Sequence, residues 1–501
     1  MRSLDETGII VVAGTERASP APRNLRRHCL SYVEVLAQSI SVIAPSTVPA
    51  AILGLIFATA GNGTWLSFLL GMIGLVLVSF NINQFARRSA SPGSLYTYIV
   101  KGLGPTAGVL SGWALLFGYM LTGMSTLCGF GIIAGVLLGQ IGIHAHILAL
   151  FAIGTILAFY IAYRDIQLSA KTMLAFEGAA LVAILILGVL IWKHKGFAID
   201  TTQLTFTGVS PGGVLMGIVL VVFGFSGFES STSLGEEAKD PLRTIPRSVI
   251  QSVVLAGLVF IFMAYVVILG FEGSPASLKK TEAPLSFLAN AIGWDFLGTL
   301  VNIGVLLSFF SCTLASINST ARIVFSMARH GLFFGALGEA HEKNKTPYNA
   351  VGLSALITFL VPTSLYLCGV SAFESQGYFG TLCSFGFLVV YILISIAAPV
   401  YLQGLGKLSK VALLYSVFGT GFMILPFLGT VGLPGSDLFP PPAFPNNVLL
   451  WLFVAYMAVG LAWLLLQRAR HPKMIPAMRR AIENVELQFA NVGTVAKRSV
   501  R

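Results

Sequence analysis

The sequence predicts an all-α integral membrane protein with about twelve transmembrane helices. Three observations predict it. Of 501 residues, 55% are hydrophobic and only 10% are charged, whereas a soluble domain carries roughly 25% charged residues and needs them to cover its surface. The apolar residues fall into blocks of about 20 or more, the length that crosses a hydrocarbon core of about 30 Å. Lysine and arginine gather in alternate connections between the blocks, as they do where loops are held on the cytoplasmic side. A net charge of +11 would suggest nucleic-acid binding in a soluble chain, but no basic stripe with interleaved aromatics occurs, so that class is excluded.

The blocks, in order, are residues 32–58, 64–87, 105–139, 146–163, 171–192, 212–236, 246–270, 294–328, 350–369, 377–403, 411–432 and 447–467. Arg23, Arg26 and Arg27 precede the first block, which ends near Ala58-Thr59-Ala60 in the manner of a secretory signal. The apolar run is about twice the length of a signal's 7–15 residues, so it reads as the first span. The third and eighth blocks are too long for an upright crossing and predict tilt or extension past the interface. Basic residues mark the N-terminal tail and the connections after blocks two (Arg87, Arg88, Lys101), four (Arg164, Lys171), six (Lys239, Arg243, Arg247), eight (Arg329, Lys343, Lys345), ten (Lys407, Lys410) and twelve (Arg468, Arg470, Lys473). Lys193, Lys195, Lys279 and Lys280 are exceptions. The balance puts both termini in the cytoplasm of a multi-pass inner- or plasma-membrane protein.

Several kinds of chemistry have no footing here. The five cysteines, Cys29, Cys128, Cys312, Cys368 and Cys383, show no CxxC spacing and read as small core residues. The histidines are scattered and no phosphate-binding GxxxxGK[ST] occurs. No metal, cofactor or nucleophile–base constellation is expected, and an enzyme is not. A channel would show a repeated filter motif, which is missing.

Two blocks are irregular. In the first, Ala44-Pro45-Ser46-Thr47-Val48-Pro49 cannot be continuous helix, because Pro49 lacks an amide hydrogen and disfavours helical geometry at Val48. Proline suits the start of a helix, so Pro49 can open a second half-helix with Ser46 or Thr47 at its cap. In the sixth, Gly224-Phe225-Ser226-Gly227-Phe228-Glu229 places two glycines in mid-span. Interrupted helices at matching places in two halves point to a transporter site built from inverted repeats, with blocks one and six opening two five-helix units. Free amides at a half-helix start attract a carboxylate, and free carbonyls attract an ammonium or Na⁺. An amino acid offers both charges.

Three stretches in this order carry a family resemblance: Ser91–Trp113 (SPGSLYTYIVKGLGPTAGVLSGW), Gly224–Val249 (GFSGFESSTSLGEEAKDPLRTIPRSV), and Ala321–Phe333 (ARIVFSMARHGLF) followed by TPYNAV at Thr346–Val351. The chain from about the first to the tenth helix resembles the amino acid–polyamine–organocation family. The resemblance implies the five-plus-five inverted repeat of the bacterial leucine transporter, with broken helices one and six. It divides the chain into a cytoplasmic tail (1–30), a ten-helix transport core (31–403), helices eleven and twelve (404–467) and a C-terminal tail (468–501). It implies a substrate between the breaks, with amides of Ser46, Thr47 and Val48 toward a carboxylate and carbonyls near Ile43, Ala44, Phe223 and Gly224 toward an amine. Gly227 lies in the second break, and Phe225, Phe228 and Tyr119 are candidates for an aromatic lid. The family's first break is usually glycine-rich, while this one is Pro-Ser-Thr-Val-Pro, with fewer amide donors and two added hydroxyls.

Ionisable residues inside spans are functional hypotheses because burial of a charge is costly. Glu177, in the fifth block, is expected to couple protons or gate. Glu229 is expected to bond freed amides of the second break, and Glu34 to snorkel or pair at the inner surface. Ser311 and Thr313 are candidate oxygen ligands of a sodium site between helices one and eight, though Cys312 between them is a poor ligand for sodium. Glu236, Glu237, Lys239, Asp240, Arg243 and Arg247 form an expected inner-gate cluster. The reading is a secondary transporter of amino acids, neutral ones first, coupled to H⁺ or Na⁺ or working by exchange. A polyamine or other organic amine is the alternative cargo.

Overall fold

The computed structural model describes residues 24–482 apart from 206, 275, 276 and 282; the calls on the tails at 1–23, including Arg23, and 483–501 lie outside the described residues. Among the described residues there is no strand, only one isolated bridge between Leu30 and Ala238. The α-helices are α1 (Tyr32–Ile43), α2 (Leu53–Ala60), α3 (Thr64–Ala86), α4 (Ser94–Leu103), α5 (Pro105–Gln140), α6 (Ile147–Arg164), α7 (Ile166–His194) and α8 (Thr201–Leu204). They continue as α9 (Pro211–Gly224), α10 (Pro241–Phe271), α11 (Pro284–Ala291), α12 (Asp295–Arg329), α13 (Tyr348–Leu367), α14 (Ala372–Gly404), α15 (Lys410–Val431) and α16 (Asn446–Arg470). Ten segments of the described chain are long and apolar enough to cross a membrane, and α9 is a shorter apolar helix.

The first of those segments, Tyr32–Ala86, reverses direction. Gly61 has φ +54, a geometry that suits glycine at a helix end. Tyr32 at the start of α1 bonds Gln251, while Asn83 near the end of α3 donates to the carbonyl of Pro246 at 3.0 Å. Both ends therefore meet the start of α10. Local sequence explains the boundaries. Proline occupies the first turn of α5, α9, α10 and α11, where its missing N–H costs nothing. Ser31 and Glu34 form a reciprocal capping box on α1. Glu34 is thus a helix cap rather than a snorkelling charge. The fifth block starts earlier than its apolar pattern, at Ile166, because Asp165 caps α7 through the amide of Gln167 at 2.8 Å.

α5 packs between α12 and α14, α3 packs on α10, and α1 runs against α7, α10 and α12. Small residues permit the closest crossing: a Cβ on Gly386 of α14 would lie 2.5 Å from the carbonyl oxygen of Ala114 on α5. Such contacts suit helices in lipid, where dispersion replaces the hydrophobic drive. α4 and α11 were not visible as separate elements in the apolar blocks. The segment Ser94–Val100 of α4 is wholly buried, which places it inside the bundle's packing.

Candidate functional site

Helical bonding stops at Ile43. Ala44 takes a left-handed conformation (φ 49) and caps α1, its amide bonding the carbonyl of Ile40. A π-helical turn resumes at Val48–Ile52, with Thr47 as its N-cap and Pro49 in the first turn, and leads into α2. The amide and hydroxyl of Thr47 both return to the carbonyl of Ala44, at 2.9 and 2.8 Å. The second interruption follows Gly224, where the predicted span 212–236 leaves α-helical geometry and resumes as a 3₁₀ turn at Ser230–Leu234.

A cavity of about 580 Å³ joins the two interruptions. It runs between α1, α2, α5, α9, α12, α14 and α15 toward the end of the bundle that holds Pro442 and Asn446. Six of the predicted residues line it: Ile43, Ala44, Thr47, Val48, Phe223 and Gly224. Ser46, Tyr119, Phe225, Gly227 and Phe228 do not. No charged side chain lines it among the described residues.

The five residues outside the cavity build its support. Phe225 and Phe228 are fully buried, against Phe260 (4.9 Å between centroids) and Tyr391 (5.0 Å). Phe223 is the aromatic residue of this break that reaches the cavity. The Glu229 carboxylate turns back toward its own backbone amide in the break and holds two tyrosines. Its two carboxylate oxygens accept from Tyr119 (2.6 Å) and Tyr391 (2.5 Å), and Tyr391 Oη accepts the amide of Gly227 at 2.9 Å. The carboxylate thus ties the unwound segment to α5 and α14. Gly227 has φ +84, and a Cβ there would sit 2.2 Å from Cγ1 of Val42. Gly227→Ala is therefore expected to lower stability by about 1–3 kcal/mol through strain and overpacking. Thermal unfolding of the purified chain in detergent checks this, and a loss below about 0.5 kcal/mol would refute it.

Glu177 stands behind the first interruption. It is 2% exposed, Oε2 accepts from Ser308 at 2.7 Å, and the amide of Ser46 is directed at its carboxylate. Oε1 of Glu177 and Oγ of Ser46 have no partner. Ser311 donates to Ser41 at 2.9 Å and so bridges α12 to α1, whereas Thr313 contacts Thr126 of α5 at 2.9 Å and faces away from α1. The two proposed sodium ligands are not brought together.

The opposite end of the site is closed. The amide of Ser231 donates to Ser39 (3.0 Å), Ser230 to the carbonyl of Gln38 (3.2 Å), and Gln38 Nε2 to Ala315 O (2.8 Å) and Ser319 (3.0 Å). Beyond them Arg322 of α12 holds Glu237 in a two-point pair at 2.6 and 2.8 Å, each side chain 1% exposed. Residues 28–30 pair with the same loop through the amides of His28, Cys29 and Leu30. Burial pushes the neighbouring Glu236 carboxyl above its ordinary range, while Arg27 and Arg329 pull it back. Below α12, burial and then Arg329 push the His330 imidazole down to about 4, leaving it neutral near pH 7 as it bonds Tyr96 at 2.9 Å. In the rest of the expected cluster, Asp240 and Arg243 are exposed and only 3.8 Å apart, a weak surface pair.

Sequence reasoning passed over Arg322, Tyr391, Gln38 and Ser308. Arg322 carried a usable signal, a cation inside an apolar block. Tyr391, Gln38 and Ser308 carried none, because their roles come from partners 162, 277 and 131 residues away.

Comparison with known proteins agrees with this architecture. The profile of the amino acid permease family matches residues 34–431. The branched-chain amino acid permease BcaP of Bacillus subtilis (strain 168) is 25% identical over 361 residues, covering 68% of this chain and 74% of that protein. The methylthioribose transporter of the same organism is 25% identical over 363 residues, with coverages of 70% and 76%. The low-affinity putrescine importer PlaP of Escherichia coli (strain K12) is 26% identical over 344 residues, with coverages of 67% and 74%. With a family match across most of its length and an all-helical bundle with ten membrane-length segments among the described residues, this chain belongs to the amino acid permease family.

Proposed function

We propose that the chain carries small neutral amino acids across the membrane by alternating access, with the cavity as the substrate site. One observation carries this reading: a cavity without charged lining touches both helix interruptions. A half-helix start at Val48–Ile52 offers the positive end of its dipole to a carboxylate, and Ile43, Ala44, Phe223 and Gly224 at the ends of α1 and α9 line the same space. A diamine needs anionic partners that this lining lacks. The branched-chain permease among the relatives supports the amino acid reading, and the putrescine importer keeps an amine as the outcome to test against.

The finer features are part of the same proposal. Counting the reversal in Tyr32–Ala86 and the α9–3₁₀ segment as crossings makes twelve, with the termini and the Arg322–Glu237 end cytoplasmic and the cavity open outward. Residues 31–403 form the transport core and 404–467 flank it. Glu177 couples transport to protons. Residues Ser311 and Thr313, pointing to different neighbours, give sodium little support.

Uptake into proteoliposomes of the full chain tests the reading, using labelled neutral amino acids and diamines with pH and sodium gradients applied separately. The expected result is accumulation of a neutral amino acid on an inward proton gradient without sodium. Movement of a diamine alone would overturn it.

A further inference from the structure

The polar groups on one wall of the cavity share a direction. On α5, the Thr122 hydroxyl donates to Gly118 O, Ser125 to Gln376 O and Thr126 to Thr122 O, each at 2.9 Å. On α14, Ser384 and Cys383 both donate to Gly380 O at 3.1 Å, and on α12 Cys312 donates to Val42 O at 3.2 Å. All six line the cavity. They adjoin one another, Thr122 beside Cys383 and Thr126 beside Cys312.

A hydroxyl has one hydrogen and two lone pairs, and a thiol has one hydrogen. Serine and threonine in helices commonly spend that hydrogen on a carbonyl of the preceding turn. Here the habit leaves these six groups offering lone pairs to a ligand and no hydrogens, while Gln376 of α14, also on the lining, carries amide hydrogens. A carboxylate against the six would lose its hydration and meet neither a donor nor a positive charge. A neutral amide N–H or hydroxyl would find acceptors already in place.

We propose that the α5–α12–α14 wall is a donor-reading subsite, admitting a ligand's second polar group when that group is an N–H or O–H donor and rejecting a carboxylate. The proposal rests on the cavity being the amino acid site and narrows its cargo to neutral amino acids, with a side-chain hydroxyl accepted and a side-chain carboxylate refused.

The test is competition among L-valine, L-threonine, L-2,4-diaminobutyrate and L-aspartate for uptake into proteoliposomes of the full chain, each labelled in turn. Threonine and valine have nearly the same shape, as do the last two within one or two atoms. Threonine is expected to compete within about tenfold of valine, and diaminobutyrate and aspartate, whose side-chain charges find no counter-charge in the lining, about 100-fold more weakly or worse. In Thr126→Val the threonine-to-valine competition ratio should fall about tenfold, a comparison made within one protein and so independent of its yield. Aspartate competing within about tenfold of threonine, or an unmoved ratio in Thr126→Val, overturns the subsite and leaves the permease reading standing. If none of the four moves or competes, the amino acid reading fails and takes the subsite with it.

Discussion

Arg322→Met is expected to destabilise the protein by about 3–5 kcal/mol, because it strands the fully buried Glu237 carboxylate without its partner. Glu237 is fully buried, and both of its oxygens are held by the guanidinium of Arg322, which also reaches the Asn318 carbonyl at 3.0 Å. The penalty comes from the unpaired charge more than from the lost attraction, since desolvation of an ion pair cancels much of its Coulomb energy. The double variant Arg322→Met with Glu237→Leu should therefore recover most of the loss, a coupling that a double-mutant cycle measures directly. Unfolding of the detergent-purified proteins decides it. A single variant within about 1 kcal/mol of the parent, or a double variant no better than the single, would show that the pair contributes little. Because the pair lies across the closed end of the site, the same variants bear on transport. If the bundle must part there to release cargo, the double variant should open more readily, and its exchange rate should rise.

Glu177→Gln is expected to abolish gradient-driven accumulation while leaving exchange intact. A gradient of one pH unit is worth about 1.4 kcal/mol per proton, or about tenfold accumulation for one proton per cycle. Glutamine retains the shape of the side chain and can keep a bond to Ser308, but it carries no proton through the cycle. The position suits coupling: one carboxylate oxygen is bonded to α12 through Ser308, the other has no partner, and the unbonded Ser46 hydroxyl belongs to the first interruption. The titratable neighbour across the packing is Cys312, which itself lines the cavity. A change of charge on Glu177 is thus applied where α1 breaks. Proteoliposomes with an imposed pH gradient measure accumulation, and preloaded vesicles without a gradient measure exchange. If the variant still accumulates cargo about tenfold with the parent's pH profile, Glu177 is a packing partner and the proton passes elsewhere.

Much of this protein could be read from local chemistry. Apolar length and sparse charge determined that the chain is a helical membrane protein, since lipid leaves the backbone no partner outside itself. Two prolines around Ser46-Thr47-Val48 and glycines at 224 and 227 determined where helices one and six are interrupted, because proline and glycine act on the backbone of their own turn. The ends of the first interruption and Phe223-Gly224 were therefore legible as cavity residues. Direction across space was not. Phe225 and Phe228 look equivalent to Phe223 in sequence, yet a few residues of altered backbone turn them away from the cavity, toward Phe260 and Tyr391. Ser311 and Thr313 are two residues apart and so point to different sides of α12, one to α1 and the other to α5. The tertiary structure alone decided the pairing of Arg322 with Glu237, the clamp on Glu229 and the acceptor wall of α5 and α14. Each joins groups on different segments of the chain, and a sequence records the order of helices but not which faces meet.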